Sequence, residues 1–386
     1  MPERARIALC LEYPLALRGG VSVLVENLLE GLRDRFELVL VSPDDGAEVT
    51  RRGIQRHIHW KPDSVNTANA RRLARLIASQ NVKLAHFHMG GNYGWGNRIP
   101  GHCPITHLKK LGVKTLSSVH LVVSPLDGYC GAQKPLWFKL AMLPLAWMGK
   151  MQQLWHVKKE IAVSRHDAAL LCRWYAPLSS RITQIYHSRL RADTQNDGSS
   201  PRQKVVLNVG HIAWRKGQIV LAEAFAKVAS KHPEWRLVMP GGFLEEQTVQ
   251  RIRQIAKEHH LEDRVELPGE RQDAMEMMKV AGIYVQPSYY EALGLALQEA
   301  LFQGCPSIGS RAGGIPELIE QGRTGLLVEP GNVEELAAAL DELMSDPVKR
   351  LEFGRRGAES ILQKGMTLDQ MIRNHIELYE TILEGH

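Results

Sequence analysis

Two glutamates, Glu291 and Glu299, flank a glycine in the stretch Pro287-Ser288-Tyr289-Tyr290-Glu291-Ala292-Leu293-Gly294-Leu295-Ala296-Leu297-Gln298-Glu299-Ala300. The apolar spacing predicts a strand over 282–286 and a helix over 293–303, so Glu291 stands just before the helix and Glu299 two turns into it. Carboxylates accept hydrogen bonds from vicinal hydroxyls, which is what holding a ribose or a hexose requires. Backbone amides around Gly294, at the positive end of the helix, suit a phosphate. The same residues also read as an acidic group favouring the helix dipole plus an exposed glutamate. A second turn, Arg18-Gly19-Gly20-Val21, enters another helix through two residues without side chains. Close approach of its amides to an anion and a plain tight turn both account for it. It is not a GxGxxG, which argues against a dinucleotide oxidoreductase.

Paired histidines, His57-x-His59 and His86-x-His88, have the spacing of zinc ligands on one strand face, but no cysteine or carboxylate cluster accompanies either pair. A non-metal reading is favoured for both, and Asp44-Asp45 reads as a turn. The loop Met89-Gly90-Gly91-Asn92-Tyr93-Gly94-Trp95-Gly96-Asn97 offers Tyr93 and Trp95 for stacking on an acceptor sugar, or is a packed surface loop. Over 135–159, Trp137, Phe138, Met142, Trp147, Met148, Met151 and Trp155 are interspersed with Lys139, Lys150, Lys158 and Lys159, and Lys134 precedes them. Such a mixture suits a membrane interface or a lipid-linked acceptor, and equally a core helix with charged flanks.

These residues need elements to position them, and the chain supplies alternating strands and helices. Strands are predicted over 5–11, 36–41, 82–87, 114–119 and 160–163. Leu24, Val25, Leu28, Leu29 and Leu32 fall on one helical face, and another helix is predicted over 67–80. After 189–203, a segment with almost nothing to bury, alternation restarts: strands over 204–209, 236–239 and 264–267 separate helices over 217–230, 246–259 and 272–279. The pattern argues for parallel sheets covered by helices on both faces, with ligands beyond the carboxyl ends of the strands. The length of 386 residues suits two domains. Their expected extents are 1–190, a linker over 191–203, 204–365, and a terminal helix over 366–386 packing back toward the first domain.

Lys plus Arg number 48 and Asp plus Glu 42, a net charge of +6. The excess is interspersed, which fits anionic small ligands or an anionic membrane surface and not nucleic acid. Five scattered cysteines without a CxxC argue against a disulfide framework and a thiolate zinc site. A cytoplasmic protein is expected, without a signal peptide. The longest apolar run, 140–149, is about half of the roughly 20 residues that crossing a bilayer needs.

Downstream of Glu291 and Glu299 come Gly304-Cys305-Pro306, Ala312-Gly313-Gly314-Ile315-Pro316-Glu317 and Gly322-Arg323-Thr324-Gly325-Leu326-Leu327-Val328. In this order the motifs resemble the signature of family-4 retaining glycosyltransferases with the GT-B fold, over about 204–362 and more thinly before it. The resemblance implies two doubly wound Rossmann-like domains facing across a cleft. It implies that Glu299 binds the ribose of a nucleotide-sugar and that Glu291 lies beside the donor sugar. The backbone of Ala292, Leu293, Gly294 and Leu295 contacts sugar and diphosphate, Lys216 neutralises the diphosphate, and Gly20 touches it from the first domain. His120 is placed near the donor sugar, and the loop with Glu270 and Arg271 at the base. Where the family has an arginine five residues before the lysine, this chain has His211, which carries charge only when protonated; Arg215 is a candidate substitute. Ile185-Tyr186-His187-Ser188-Arg189 departs from the usual hinge sequence.

The expected activity is transfer of a hexose from a UDP-sugar, with GDP-mannose second, to a glycan or lipid-linked sugar of an envelope polysaccharide. No metal or other cofactor is expected, and contact with the inner face of a membrane would run through 135–159. The alternatives are a GT-B epimerase or phosphorylase, or a nucleotide-sugar-binding protein without catalysis.

Overall fold

The structure, a computed structural model, describes residues 4–15, 20–51, 54–61, 65–125, 135–195 and 201–385. Gly19, Cys130 and Lys134 lie outside them. The chain divides into two compact units, Met1–Arg189 with Leu368–His386, and Leu190–Thr367.

In the first unit, seven strands form a parallel sheet: β1 (Arg6–Leu11), β2 (Glu37–Ser42), β3 (His57–His59), β4 (Leu84–Met89), β5 (Lys114–Val119), β6 (Lys159–Ala162) and β7 (Ile182–Gln184), ordered β3-β2-β1-β4-β5-β6-β7. All six residues of β4 are buried, as expected of a central strand covered on both faces. The helix Gly20–Leu32 buries the face its leucines define. It packs in one core with Ile7, Leu9 and Leu40 and with Met371, Tyr379 and Ile382 of the terminal helix Leu368–Glu384. A Cβ at Gly31 would overlap Ile372, so the two helices meet through a missing side chain. Lys114 Nζ donates to the carbonyls of Ile382 and Leu383 at 2.7 and 2.9 Å, satisfying the last turn of that helix. On the other face lies the helix Thr67–Ser79, capped by Asn66, whose side chain accepts the N–H of Asn69.

The helix Leu136–His156 corrects one expectation. Lys139 and Lys150 are not solvated flanks of the helix; they are 9% and 0% exposed. Lys150 Nζ lies 2.7 Å from Glu160 Oε2, and neither side chain is exposed. The same oxygen accepts from Ser117 Oγ and Gln153 Nε2, both at 2.9 Å. The outward face is instead apolar, with Leu136, Trp137, Leu140, Trp147, Met148 and Trp155 all exposed.

The second unit has a parallel sheet of six strands: β8 (Gln203–Leu207), β9 (Arg236–Val238), β10 (Val265–Glu266), β11 (Ala281–Gln286), β12 (Ser307–Ser310) and β13 (Leu326–Val328), ordered β10-β9-β8-β11-β12-β13. Its core includes Phe225, Trp235, Ile252, Ile283, Ile308 and Leu340. The segment entering this unit is tied to it: Leu190 is 1% exposed, and Gln195 Nε2 donates to Ala358 O at 2.8 Å. The strand order reverses between β8 and β11, so the turns after these two strands are neighbours. The helix after β11 runs over Leu295–Phe302, starting two residues later than its apolar spacing suggests because Gly294 takes the left-handed φ of 94° and delays the first turn.

Removing one partner of a fully buried ion pair strands the other charge, at a cost of about 3–5 kcal/mol. Lys150→Met should destabilise the first unit by that amount in urea denaturation. Adding Glu160→Gln should restore more than half, because no buried charge then remains; equal loss in single and double variants would contradict the account.

Candidate functional site

Around the switch between β8 and β11, the three turns after β8, β11 and β12 are locked together by backbone contacts closer than any side chain permits. Gly217, at φ 71°, presses on the carbonyl of Pro287, and Gly313, at φ 53°, on that of Glu291; a Cβ at either would overlap the oxygen. Only glycine adopts this φ without strain and leaves room for the contact. Further bonds fix the register of the turns: Tyr289 N donates to Arg215 O at 2.9 Å, Gly314 N to Ala292 O at 3.1 Å, and Ser310 Oγ to Ser288 O at 2.5 Å. The Tyr289 ring stacks on Trp214 with centroids 4.9 Å apart and planes 8° apart.

These contacts bring Lys216 and Glu291 together: Nζ lies 2.6 Å from Oε2, with the two side chains 18% and 14% exposed. Gln286 Nε2 and Ser288 Oγ each lie 3.4 Å from the same oxygen. Arg215, beside Lys216, has no acidic partner among the described residues. The helices that follow, Gln218–Val228 and Leu295–Phe302, begin at left-handed glycines, Gly217 and Gly294, with no side-chain cap and no acidic residue in the first turn. By contrast, Asn332 and Asp346 cap the helices behind them with their own side chains. Two cations and two helix starts without side-chain caps thus share the carboxyl edge of one sheet, the composition of an anion site.

Glu299 lies inside the helix Leu295–Phe302, 3% exposed. Burial first, and then the Glu299 carboxylate, push the Tyr284 hydroxyl well above its usual range. That hydroxyl donates to Gln286 Oε1 at 2.8 Å. A buried polar row therefore runs from Glu299 to Glu291. Gln286, Ser288 and Tyr289, which support Glu291, escaped the sequence reading, although Gln286 and Ser288 sit beside a strand's carboxyl end. His211 and Glu270 both approach Gly242: a Cβ there would lie 2.9 Å from His211 Nδ1 and 2.7 Å from Glu270 Oε1. His211 Nδ1 is buried without a hydrogen-bond partner. Arg271 is committed elsewhere, to Asp273 at 2.5 Å.

In the first unit, Gly20 is exposed at the start of its helix. Tyr93 cannot stack on a ligand: it is 9% exposed, packed on Ala146, with its hydroxyl 3.3 Å from that of Tyr175. His120 follows β5 and stands within a group of five histidines, between His88 and His187. Its Nε2 lies 3.3 Å from His88 Nδ1, its ring 4.9 Å from that of His187, and His86 lies 4.1 Å from His88 and 5.9 Å from His375. His86 also bonds Tyr379 OH at 2.6 Å and Ser118 Oγ at 2.7 Å. Burial, reinforced by neighbouring imidazoles, holds His86, His88 and His187 well below the usual range and His120 at about 3; burial takes His375 to about 4. His120 is thus a neutral imidazole whose Nε2 is already engaged. Among the described residues, no group of three or more His, Cys, Asp or Glu has the arrangement of a metal site.

Residues 18–188 match the family model described as Glycosyltransferase Family 4, and residues 191–360 the model described as Glycosyl transferases group 1. The two parallel-sheet Rossmann-like domains are the GT-B fold, and the two matches, one to each domain, support a glycosyltransferase. The chain is 30% identical over 201 residues to an N-acetyl-α-D-glucosaminyl L-malate synthase of Bacillus anthracis, covering 52% of this chain and 51% of that protein. It is 29% identical over 194 residues to a D-inositol 3-phosphate glycosyltransferase of Corynebacterium aurimucosum, covering 49% and 44%. The chain thus spans about half the length of these curated relatives. Among solved structures, a glycosyltransferase from Rickettsia africae superposes with a TM-score of 0.79 at 21% identity, over 99% of this chain and 100% of that one. Anabaena HepE, solved with UDP and glucose, superposes at 0.76 with 18% identity, over 98% and 100%.

The histidine group sets a pH dependence. Each imidazole is neutral when folded and titrates near 6.5 when unfolded, so the unfolded chain binds more protons below that pH. Stability should therefore be full above about pH 7 and fall as pH drops through 6.5 toward 4, each histidine contributing a slope of up to about 1.4 kcal/mol per pH unit. Urea denaturation between pH 7.5 and 5 should show this, and His375→Leu should make the fall shallower. A pH-independent midpoint would contradict the burial account.

Proposed function

We propose that this chain is a retaining hexosyltransferase that takes its donor, a nucleoside diphosphate sugar, on the carboxyl edge of the second sheet. The observation that carries the reading is the Lys216–Glu291 pair at the β8–β11 switch, flanked by two glycine-led helix starts. In this reading the diphosphate rests on Lys216, Arg215 and the amides of Ala292 to Leu295. Charge building on the leaving nucleotide is then met by fixed cations and dipoles. Glu299 holds the ribose and Glu291 orients the sugar, while Glu270 and His211 border the base and phosphates. UDP is the favoured nucleotide, in keeping with the UDP and glucose bound to Anabaena HepE, and GDP-mannose is second. No metal is assigned to the mechanism, so activity should persist in EDTA.

The acceptor is a hydroxyl, most simply that of a glycan or lipid-linked sugar at a membrane. Malate and inositol 3-phosphate, named for two relatives, are the alternative acceptors. The exposed Trp137, Trp147 and Trp155 supply an apolar helix face that suits the headgroup boundary of a bilayer. No helix of the described residues is long and apolar enough to cross a membrane.

Kinetics separate the roles of the two glutamates. Hydrogen bonds to a charged group contribute about 1.5–3 kcal/mol, so Glu299→Ala should raise the donor KM and the UDP Kd roughly 10- to 150-fold. Glu291→Gln should depress kcat and leave the UDP Kd nearly unchanged, because its contacts form where charge develops. Calorimetry with UDP and transfer kinetics on both variants test this, and the reverse pattern would overturn the assignment. UDP binding without transfer or donor turnover to any acceptor would leave a binding protein.

A further inference from the structure

The first unit has its own switch, between β1 and β4, and a cavity of about 270 Å³ opens there. Its walls come from the carboxyl ends of three strands: Glu12 and Tyr13 after β1, Trp60 after β3, and Trp95 and His102 after β4. Asn69, in the first turn of the helix Thr67–Ser79, completes one side. This is where doubly wound sheets bind ligands, and the volume suits a single ring.

The walls have a definite chemistry. Trp60 and Trp95 present indole surface, and among the described residues Glu12 is the one carboxylate in the lining. Among the described residues no lysine or arginine lines the space. Arg72 stands over the Trp60 ring at 5.9 Å, and Arg98 acts on Glu12. Glu12 Oε1 accepts the backbone N–H of Trp95 across the switch. That bond holds Trp95 at φ 51°, a left-handed conformation that costs a residue with a Cβ about 1–2 kcal/mol. The Trp95 indole is fixed as well, donating to His88 O at 3.1 Å and standing edge-on to Phe87. Burial brings the Glu12 carboxyl up to about 7, so near neutral pH it can both accept and donate. His102 keeps a buried Nδ1 with no hydrogen-bond partner. Strain held in place at a strand's carboxyl end, beside an orphaned polar atom, marks a built site.

We propose that this cavity seats an uncharged, hydroxyl-bearing ring, with Trp60 against its apolar face and Glu12 and His102 bonded to its hydroxyls. Under the glycosyltransferase reading, on which only its role as acceptor site rests, the acceptor ends in a neutral sugar or cyclitol. An anion such as a phosphate ester or a dicarboxylate is disfavoured, because it would meet the Glu12 carboxylate with no lysine or arginine among the described lining residues.

Saturation-transfer NMR on the full chain tests this with four probes: methyl α-D-glucopyranoside, myo-inositol, myo-inositol 1-phosphate and malate. At least one uncharged ring should bind and both anions should not; which of the two neutral rings gives signal distinguishes sugar from cyclitol. Glu12→Ala and Trp60→Ala should each weaken that binding at least about tenfold, and Trp60→Phe should retain most of it. Binding of anions in preference to neutral rings, absence of binding by either neutral ring, or binding indifferent to both alanine variants would overturn the proposal. UDP calorimetry on the same preparations separates the two readings. A wild-type chain that fails to bind UDP sinks the donor site without touching the ring-binding result.

Discussion

A side chain missing at two positions holds the second unit's edge in its working shape. Gly217 against Pro287 and Gly313 against Glu291 let three turns of the sheet touch backbone to backbone. Without that approach, Lys216 and Glu291 could not meet at 2.6 Å, and the turns would separate by about the width of a methyl group. The sheet supplies the other half of the constraint. Because β8 and β11 are parallel neighbours in a sheet whose order reverses between them, their following helices start side by side. Both helix dipoles then present positive ends at one edge, and Lys216 and Arg215 add to the same field.

The two units use one architecture for opposite electrostatic ends. The edge of the second combines cations with amides and suits a diphosphate. The edge of the first combines indoles, a half-buried glutamate and neutral imidazoles. His88 and His187 are buried, His120 is half-buried beside them, and desolvation holds all three imidazoles neutral. Lys150 and Glu160 form a buried pair in which Ser117 and Gln153 also bond Glu160 Oε2, while Oε1 keeps no hydrogen-bond partner.

Much of this was legible in the sequence because parallel sheets leave a plain periodicity. The apolar face of Gly20–Leu32 appears in the sequence as helical spacing, and β11 as an apolar run ending at Gln286. The meeting of Glu291 with Lys216 was not in the spacing, since it depends on strand order across 75 residues; only the resemblance placed them together. The composition of 135–159 misled about its lysines, because a long aliphatic stem lets Lys150 turn inward to a charge that the sequence places ten residues away. Tyr93 looked available for stacking because a glycine-rich loop carries no burial signal. Glu12 was invisible for the opposite reason: a single glutamate after a strand is ordinary until a strained tryptophan is found leaning on it.

Amide hydrogen exchange with and without saturating UDP tests the central claim, that the carboxyl edge of the second sheet is the nucleotide site. Exchange should slow at 210–217 and 288–295 and stay unchanged at 57–60 and 93–97 in the first unit. Protection confined to the first unit, or unchanged exchange at 210–217 and 288–295 in the presence of bound UDP, would contradict it.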